Sequence, residues 1–180
     1  MDHTGLPADD LARLVAVEAI TRLKHAYLRC LDTKRWDELA ELLTDDVTCA
    51  YGGGAYTFTG RDAVMRFLVE AMGRTSMLTS HTVHHPEITL EGPDVARGTW
   101  ALRDEVLDLE AGIRIRGAAF YDDRYRLLDG SWRIAHTGYR RLFEELEPRP
   151  PGVRLTASWW EDDGRSRLAP APPADDGAEG

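Results

Sequence analysis

Between Ser80 and Leu146 the chain is a succession of long apolar–polar runs divided by tight turns, with no helix-period pattern among them. The runs cover residues 81–90, 95–110, 113–128 and 132–146, and they are separated by Glu91-Gly92-Pro93-Asp94, Ala111-Gly112 and Asp129-Gly130. Runs this long joined by turns this short pair antiparallel, so the second half predicts a meander. The first half has a different period. Behind Asp9-Asp10, apolar residues at Leu11, Leu14, Val15, Ile20, Leu23, Tyr27 and Leu31 follow helical spacing, ending near Thr33. A short second helix is expected over residues 36–43, broken by Thr44-Asp45-Asp46. A strand over 47–51, a Gly52-Gly53-Gly54 turn, a run over 56–59 and a third helix over 62–72, closed by Gly73, complete the pattern. Helices first and a long meander afterwards is an α+β order, not alternating βαβ units. The expected architecture is a cone-shaped α+β barrel, with three N-terminal helices packed on a strongly bent, mainly antiparallel sheet. Such a cone encloses room for a small molecule.

The expected organisation is a flexible N-terminus (1–8), a cone domain (9–147), a C-terminal arm (148–163) and a disordered tail (164–180). Pro148-Arg149-Pro150-Pro151 stops the last strand, residues 153–160 are apolar enough to pack as an extra strand or arm, and the remainder is Ala/Pro/Gly/Asp-rich. The net charge of −9 argues against a nucleic-acid partner. Arg114/Arg116 and Arg124/Arg126 alternate with apolar residues as the wet face of a strand does, and no basic stripe carries stacking aromatics. No apolar run reaches about 18 residues, so no membrane partner is expected. The acidic start of the chain does not resemble a signal peptide, which makes the cytoplasm the expected location. Cys30 and Cys49 form no CxxC pair and are expected to be buried thiols rather than zinc ligands.

Alternation along residues 98–106 puts Gly98, Trp100, Leu102, Asp104 and Val106 on one face. Asp104 is then the single charge on an apolar face, where it must find a partner or hold its proton. Alternatively, the strand has left the core by that point, or a bulge has reversed the alternation. His81, Val83 and His85 share one face of the preceding run, while His84 points the other way. Four residues of extended chain separate His81 from His85 by roughly 13 Å, too far to share one metal ion. No metal is therefore expected. An inward His81 suits acid–base work, although on position alone a structural core histidine is the plainer alternative. Asp32 falls at the C-terminal end of the first helix, where the dipole disfavours a negative charge unless a cation or donor answers it. An imidazole would do so, while an exposed turn aspartate is the plainer alternative. Tyr27 lies on the apolar face of that helix, and Tyr51 ends the first strand. The glycine run lacks the lysine of a phosphate loop.

Together, Asp32-Thr33-Lys34-Arg35-Trp36-Asp37 at the helix corner, Asp45-Asp46-Val47, His81 and Trp132-Arg133-Ile134 resemble the SnoaL-like branch of the nuclear-transport-factor-2-like superfamily. The resemblance runs over about residues 11–143. It is strongest toward the scytalone dehydratases and bile acid 7α-dehydratases, and it implies an Asp–His pair at Asp32 and His81 that removes a proton next to a carbonyl. It further implies that Tyr51 or Tyr27 binds the carbonyl oxygen and that Asp104, if protonated, assists departure of a hydroxyl. Leu31 and Trp100 stand where the fungal enzymes have a second tyrosine and a second histidine. The implied activity is a dehydratase that needs no cofactor and acts on a polycyclic, steroid-like or polyketide-like substrate. An isomerase or cyclase with the same site, or a non-catalytic binder of hydrophobic metabolites, is the alternative. Trp100, His85, Phe58, Tyr121, His136 and Arg140 are the expected substrate contacts. A homodimer or homotrimer is the expected assembly.

Overall fold

A computed structural model of the protein describes residues 8–168. Residues 1–7 of the expected flexible start, and 169–180 of the expected tail, lie outside the described residues. The chain divides into two units, Met1–Pro148 and Arg149–Gly180.

In the first unit the elements are α1 (Ala8–Asp32), α2 (Trp36–Glu41), β1 (Leu43–Tyr51), β2 (Tyr56–Thr59), α3 (Arg61–Met72), β3 (Met77–Leu90), β4 (Val95–Asp108), β5 (Ile113–Leu128) and β6 (Ser131–Pro148). A short 3-10 turn at Gly52–Gly54 joins β1 to β2. The six strands form one sheet in the order β2-β1-β6-β5-β4-β3. Strands β3 to β6 are the expected antiparallel meander, and β1 runs parallel to β6, so the curled sheet is mixed. Strand β1 begins at Leu43 rather than at 47. Leu43 and Val47 are both fully buried, while Asp45 and Asp46 face water and pair with Arg61 and Arg126, so the acidic stretch does not break the strand.

Helix α1 lays Ile20, Leu23, Tyr27 and Leu31 against the inner face of the sheet, whose buried residues include Trp100, Leu102, Tyr121, Tyr125 and Ile134. α3 adds Val64 and Leu68 from the side. Three bulges bend the sheet around this core. In β3, His85 and Pro86 together oppose one residue of β4, with His85 at φ 48°. In β6, the extra residues are Ala135 and Leu142. Each insertion kinks its strand and reverses the inside–outside alternation beyond it.

Residues 149–168 of the second unit are turns and irregular chain rather than a strand. Within it Arg167 N donates to Thr156 O at 2.8 Å, and the Arg167 guanidinium pairs with Glu161 and Asp162.

Candidate active site

The end of α1 positions the first functional side chain. Arg35 N donates to Cys30 O at 2.8 Å and Lys34 N to Leu31 O at 3.3 Å, with Lys34 at φ 53°. This is a Schellman termination, with Lys34 in the left-handed position where glycine is commonest. It fixes Asp32 as the last helical residue, facing the start of β3. There the Asp32 carboxylate accepts from Thr79 Oγ1 at 2.8 Å, His81 backbone N at 2.8 Å and His81 Nδ1 at 2.6 Å. Burial works against its charge. The His81 ring and backbone donors, with the Thr79 hydroxyl, outweigh that burial and hold the carboxyl below its ordinary value of 3.8. The negative end of the α1 dipole is thus answered by three donors.

With the folded pKa below the unfolded one, these bonds stabilise fully above the ordinary value and are lost as pH falls through the folded value. In urea unfolding, the wild type should lose more stability than Asp32→Asn between about pH 6 and about pH 3. Parallel losses would mean that the carboxylate is not held this way.

Since Nδ1 is bound to Asp32, the nitrogen left for a ligand is Nε2, and His81 lines the cavity inside the cone. That cavity has a volume of about 160 Å³. Leu31, Phe67, Leu102 and Val106 supply apolar walls, and the polar groups include His81, Tyr27, Tyr51, Tyr121, Tyr139 and the Asp104–Arg141 pair. The hydroxyls of Tyr27 and Tyr51 are 2.9 Å apart. Burial raises the pKa of both phenols well above the ordinary value, so at neutral pH they remain protonated donors.

Asp104 faces the cavity, and it is His81's cross-strand neighbour on β4. The structure gives it a partner from another strand. Arg141 Nη1 and Nη2 reach Asp104 Oδ1 and Oδ2 at 2.5 and 2.8 Å, with the Asp104 side chain 3% exposed. In a bidentate bond to guanidinium a carboxylate accepts at both oxygens. Burial alone would lower the Arg141 pKa, and Asp104 raises it above the usual range. Arg141 sits on β6 and Asp104 on β4, so the guanidinium must cross β5. It does so over Gly117, which faces Asp104 in register. A Cβ at Gly117 would lie 2.9 Å from both Arg141 Nη1 and the Phe143 carbonyl oxygen. Gly117→Ala should therefore cost about 1–3 kcal/mol, as overpacking does. A thermal melt checks this, and an unchanged Tm would show that the crossing tolerates a methyl group.

The remaining expected contacts divide. Tyr121 lines the cavity. Trp100 lies beneath the cavity walls, fully buried, donating from Nε1 to Tyr125 Oη at 2.8 Å. Phe58 is one ring removed, stacked on Phe67 at 4.7 Å. His85 is exposed at the β3 bulge, where the alternation from His81 is broken. His136 and Arg140 occupy the opposite face of the sheet, beside Arg97 and Phe120 in an open groove. Unbroken alternation from Ile134 would turn both inward, and the extra residue Ala135 reverses it, turning Thr137, Tyr139 and Arg141 inward instead. Two open grooves on that outer face are each about 400 Å³, but neither holds the Asp32–His81 pair. Among the described residues, no three His, Cys, Asp or Glu side chains cluster to hold a metal.

A second buried pair has no counterpart in the sequence reading. Lys24 Nζ and Asp123 Oδ2 are 2.7 Å apart, with both side chains at 0% exposure. The signal was present at both ends. Position 24 lies on the same stripe of α1 as Ile20, Tyr27 and Leu31, and Asp123 alternates with Tyr121 and Tyr125 on β5 as Asp104 does on β4.

A model of the SnoaL-like domain matches residues 12–138. Among solved structures, a scytalone dehydratase-like protein from Novosphingobium aromaticivorans is 24% identical, with a TM-score of 0.70 over 80% of this chain and 98% of that one. The hexachlorocyclohexane dehydrochlorinase LinA-type3 from Novosphingobium barchaimii is 21% identical, with a TM-score of 0.68 over 81% and 97%. A protein of unknown function from Mycobacterium tuberculosis is 26% identical, with a TM-score of 0.64 over 78% of each chain. These likenesses establish the shared fold.

Proposed function

The chain belongs to the SnoaL-like domain family of the nuclear-transport-factor-2-like superfamily, and from that premise we propose that it is an acid–base lyase acting on a compact ring compound that bears a carbonyl. One observation carries the reading: the 2.6 Å contact of Asp32 with His81 Nδ1, on the wall of a cavity that also holds the Tyr27–Tyr51 hydroxyl pair. Asp32 orients the imidazole and strengthens it as a base, as a carboxylate behind a histidine does. Nε2 takes the proton next to the carbonyl. In the tyrosine pair one hydroxyl donates to the other, leaving the second proton for the oxygen that gains charge. His81 then returns its proton to a hydroxyl on the neighbouring carbon, which leaves as water. One C–H and one C–O bond break, one C=C bond forms, and the histidine ends as it began. Arg141, fixed by Asp104, faces the same space and supports charge on the departing oxygen.

Cavity size supports a compact substrate. An apolar cavity of about 150 Å³ holds a benzene ring, and drug-sized ligands occupy about 300 Å³ or more. At about 160 Å³ the cavity suits a one- or two-ring compound, not the four fused rings of a steroid. Two structural relatives are named for eliminations, one for loss of water and one for loss of hydrogen chloride from the one-ring hexachlorocyclohexane.

The test is a panel of one- and two-ring β-hydroxy ketones, followed by mass spectrometry for loss of water. Water loss by the wild type and not by Asp32→Asn is expected. A double-bond shift without water loss would move the assignment to an isomerase, and inertness toward the whole panel would defeat the lyase reading.

A further inference from the structure

Beneath the tyrosines lies a charge that none of these steps uses. The Lys24–Asp123 pair is wholly buried, and it has a direction. Its cationic end lies against two rings of the cavity wall: Lys24 Nζ is 3.4 Å from the Tyr121 ring centre and 5.0 Å from that of Tyr27, and both rings line the cavity. Its anionic end is tied away from it. Asp123 Oδ2 accepts from the Tyr125 hydroxyl at 2.8 Å, and that hydroxyl accepts from Trp100 Nε1 at 2.8 Å. Neither Tyr125 nor Trp100 lines the cavity. Stability does not account for such a pair, because well-packed apolar residues of similar volume generally serve as well or better.

A cation within about 4–6 Å favours negative charge on a neighbouring group. In a dry site its attraction to an aromatic face is at its strongest. Burial lowers the Lys24 pKa, and the Asp123 carboxylate acts against that lowering. We propose that Lys24 is a positioning residue: acting through the rings of Tyr27 and Tyr121, it polarises their hydroxyls toward an anionic oxygen in the cavity, and Asp123 keeps it charged. Lys24 touches no ligand. The inference rests on reading the cavity as a place where an oxygen gains charge, and it adds a ligand class, small-ring phenolates and enolates. It also explains why a charge occupies the stripe that otherwise packs α1 on the sheet.

The probe is para-nitrophenol, whose phenolate has its own absorption band, with nitrobenzene as the neutral control. Both are titrated into the full chain at a pH where the phenol is half ionised in solution. On binding the wild type, the phenolate band should grow. The double variant Lys24→Met with Asp123→Asn, which leaves no unpaired charge, should bind phenolate about tenfold more weakly, as expected for loss of a desolvated cation at a ring face. Its affinity for nitrobenzene should be unchanged. If that variant does not fold, Asp123→Asn alone decides, because an unpaired buried lysine sheds its proton and the cation is lost just the same. Undiminished phenolate affinity, an equal loss for both probes, or a wild type without phenolate preference would each overturn the proposal. Turnover is not read here, so a wild type that prefers phenolate yet dehydrates nothing would sink the lyase reading and leave the role of Lys24 standing.

Discussion

His81→Ala should fold with wild-type secondary structure and lose about 10²- to 10⁴-fold in turnover, the range for removal of a positioned general base. The ring is partly withdrawn from water, its side chain 8% exposed, but it forms a cavity wall rather than the packed interior. Its loss leaves space for solvent beside Asp32, and Thr79 and the backbone N at position 81 continue to donate to the carboxylate. A merely structural bridge predicts the opposite pattern: a marked fall in Tm and little change in rate per folded molecule. Circular dichroism melts alongside turnover on the β-hydroxy ketone panel separate the two. Full turnover by the folded variant would remove His81 from the chemistry.

The largest stability effect belongs to Lys24. Lys24→Met alone strands the Asp123 carboxylate in a place with no exposed surface, its remaining partner the Tyr125 hydroxyl. Breaking one side of a buried ion pair costs about 3–5 kcal/mol. In a chain of this length that lowers Tm by roughly 6–20 °C. Adding Asp123→Asn should restore most of the loss, since the amide still accepts from Tyr125 and no charge is left unpaired. Denaturant midpoints for the two single variants and the double variant form the cycle that measures the coupling. Purely additive effects would show that the two residues are not paired in solution.

What could be read from the sequence depended on how far each signal travels. The switch from helical to strand period, and the tight turns between long runs, are local, and they carried the α+β order and the meander. Helix α1 could be seen to end near Thr33 and the meander to begin near His81, which brings Asp32 and His81 to facing ends of their elements. That they touch is a property of the fold. Alternation placed Asp104 on the inner face of β4 correctly, because β4 has no bulge before it. The same rule failed at His85, where the inserted residue in β3 reverses the side chains beyond it. His136 and Arg140, named only as expected contacts, face outward because the extra residue Ala135 does the same in β6. Arg141 was invisible for a related reason: it acts two strands away, through the side-chain-free crossing at Gly117. The size of the cavity is set by how Phe67, Leu102 and the tyrosines pack, and no local pattern encodes it. Lys24 and Asp123 were legible in principle, each being a lone charge on an otherwise apolar stripe.

Proton removal next to a carbonyl is the step on which the whole reading turns, and deuterium exchange isolates it from the rest of the reaction. A one-ring ketone without a leaving group is incubated in D₂O with the wild type and with His81→Ala, and NMR follows the signal next to the carbonyl. Exchange by the wild type above the buffer rate, reduced by about 10²-fold or more in His81→Ala, is the predicted result. Equal exchange by the two proteins, with both shown to bind the ketone, would contradict the assignment of the Asp32–His81 pair as the base.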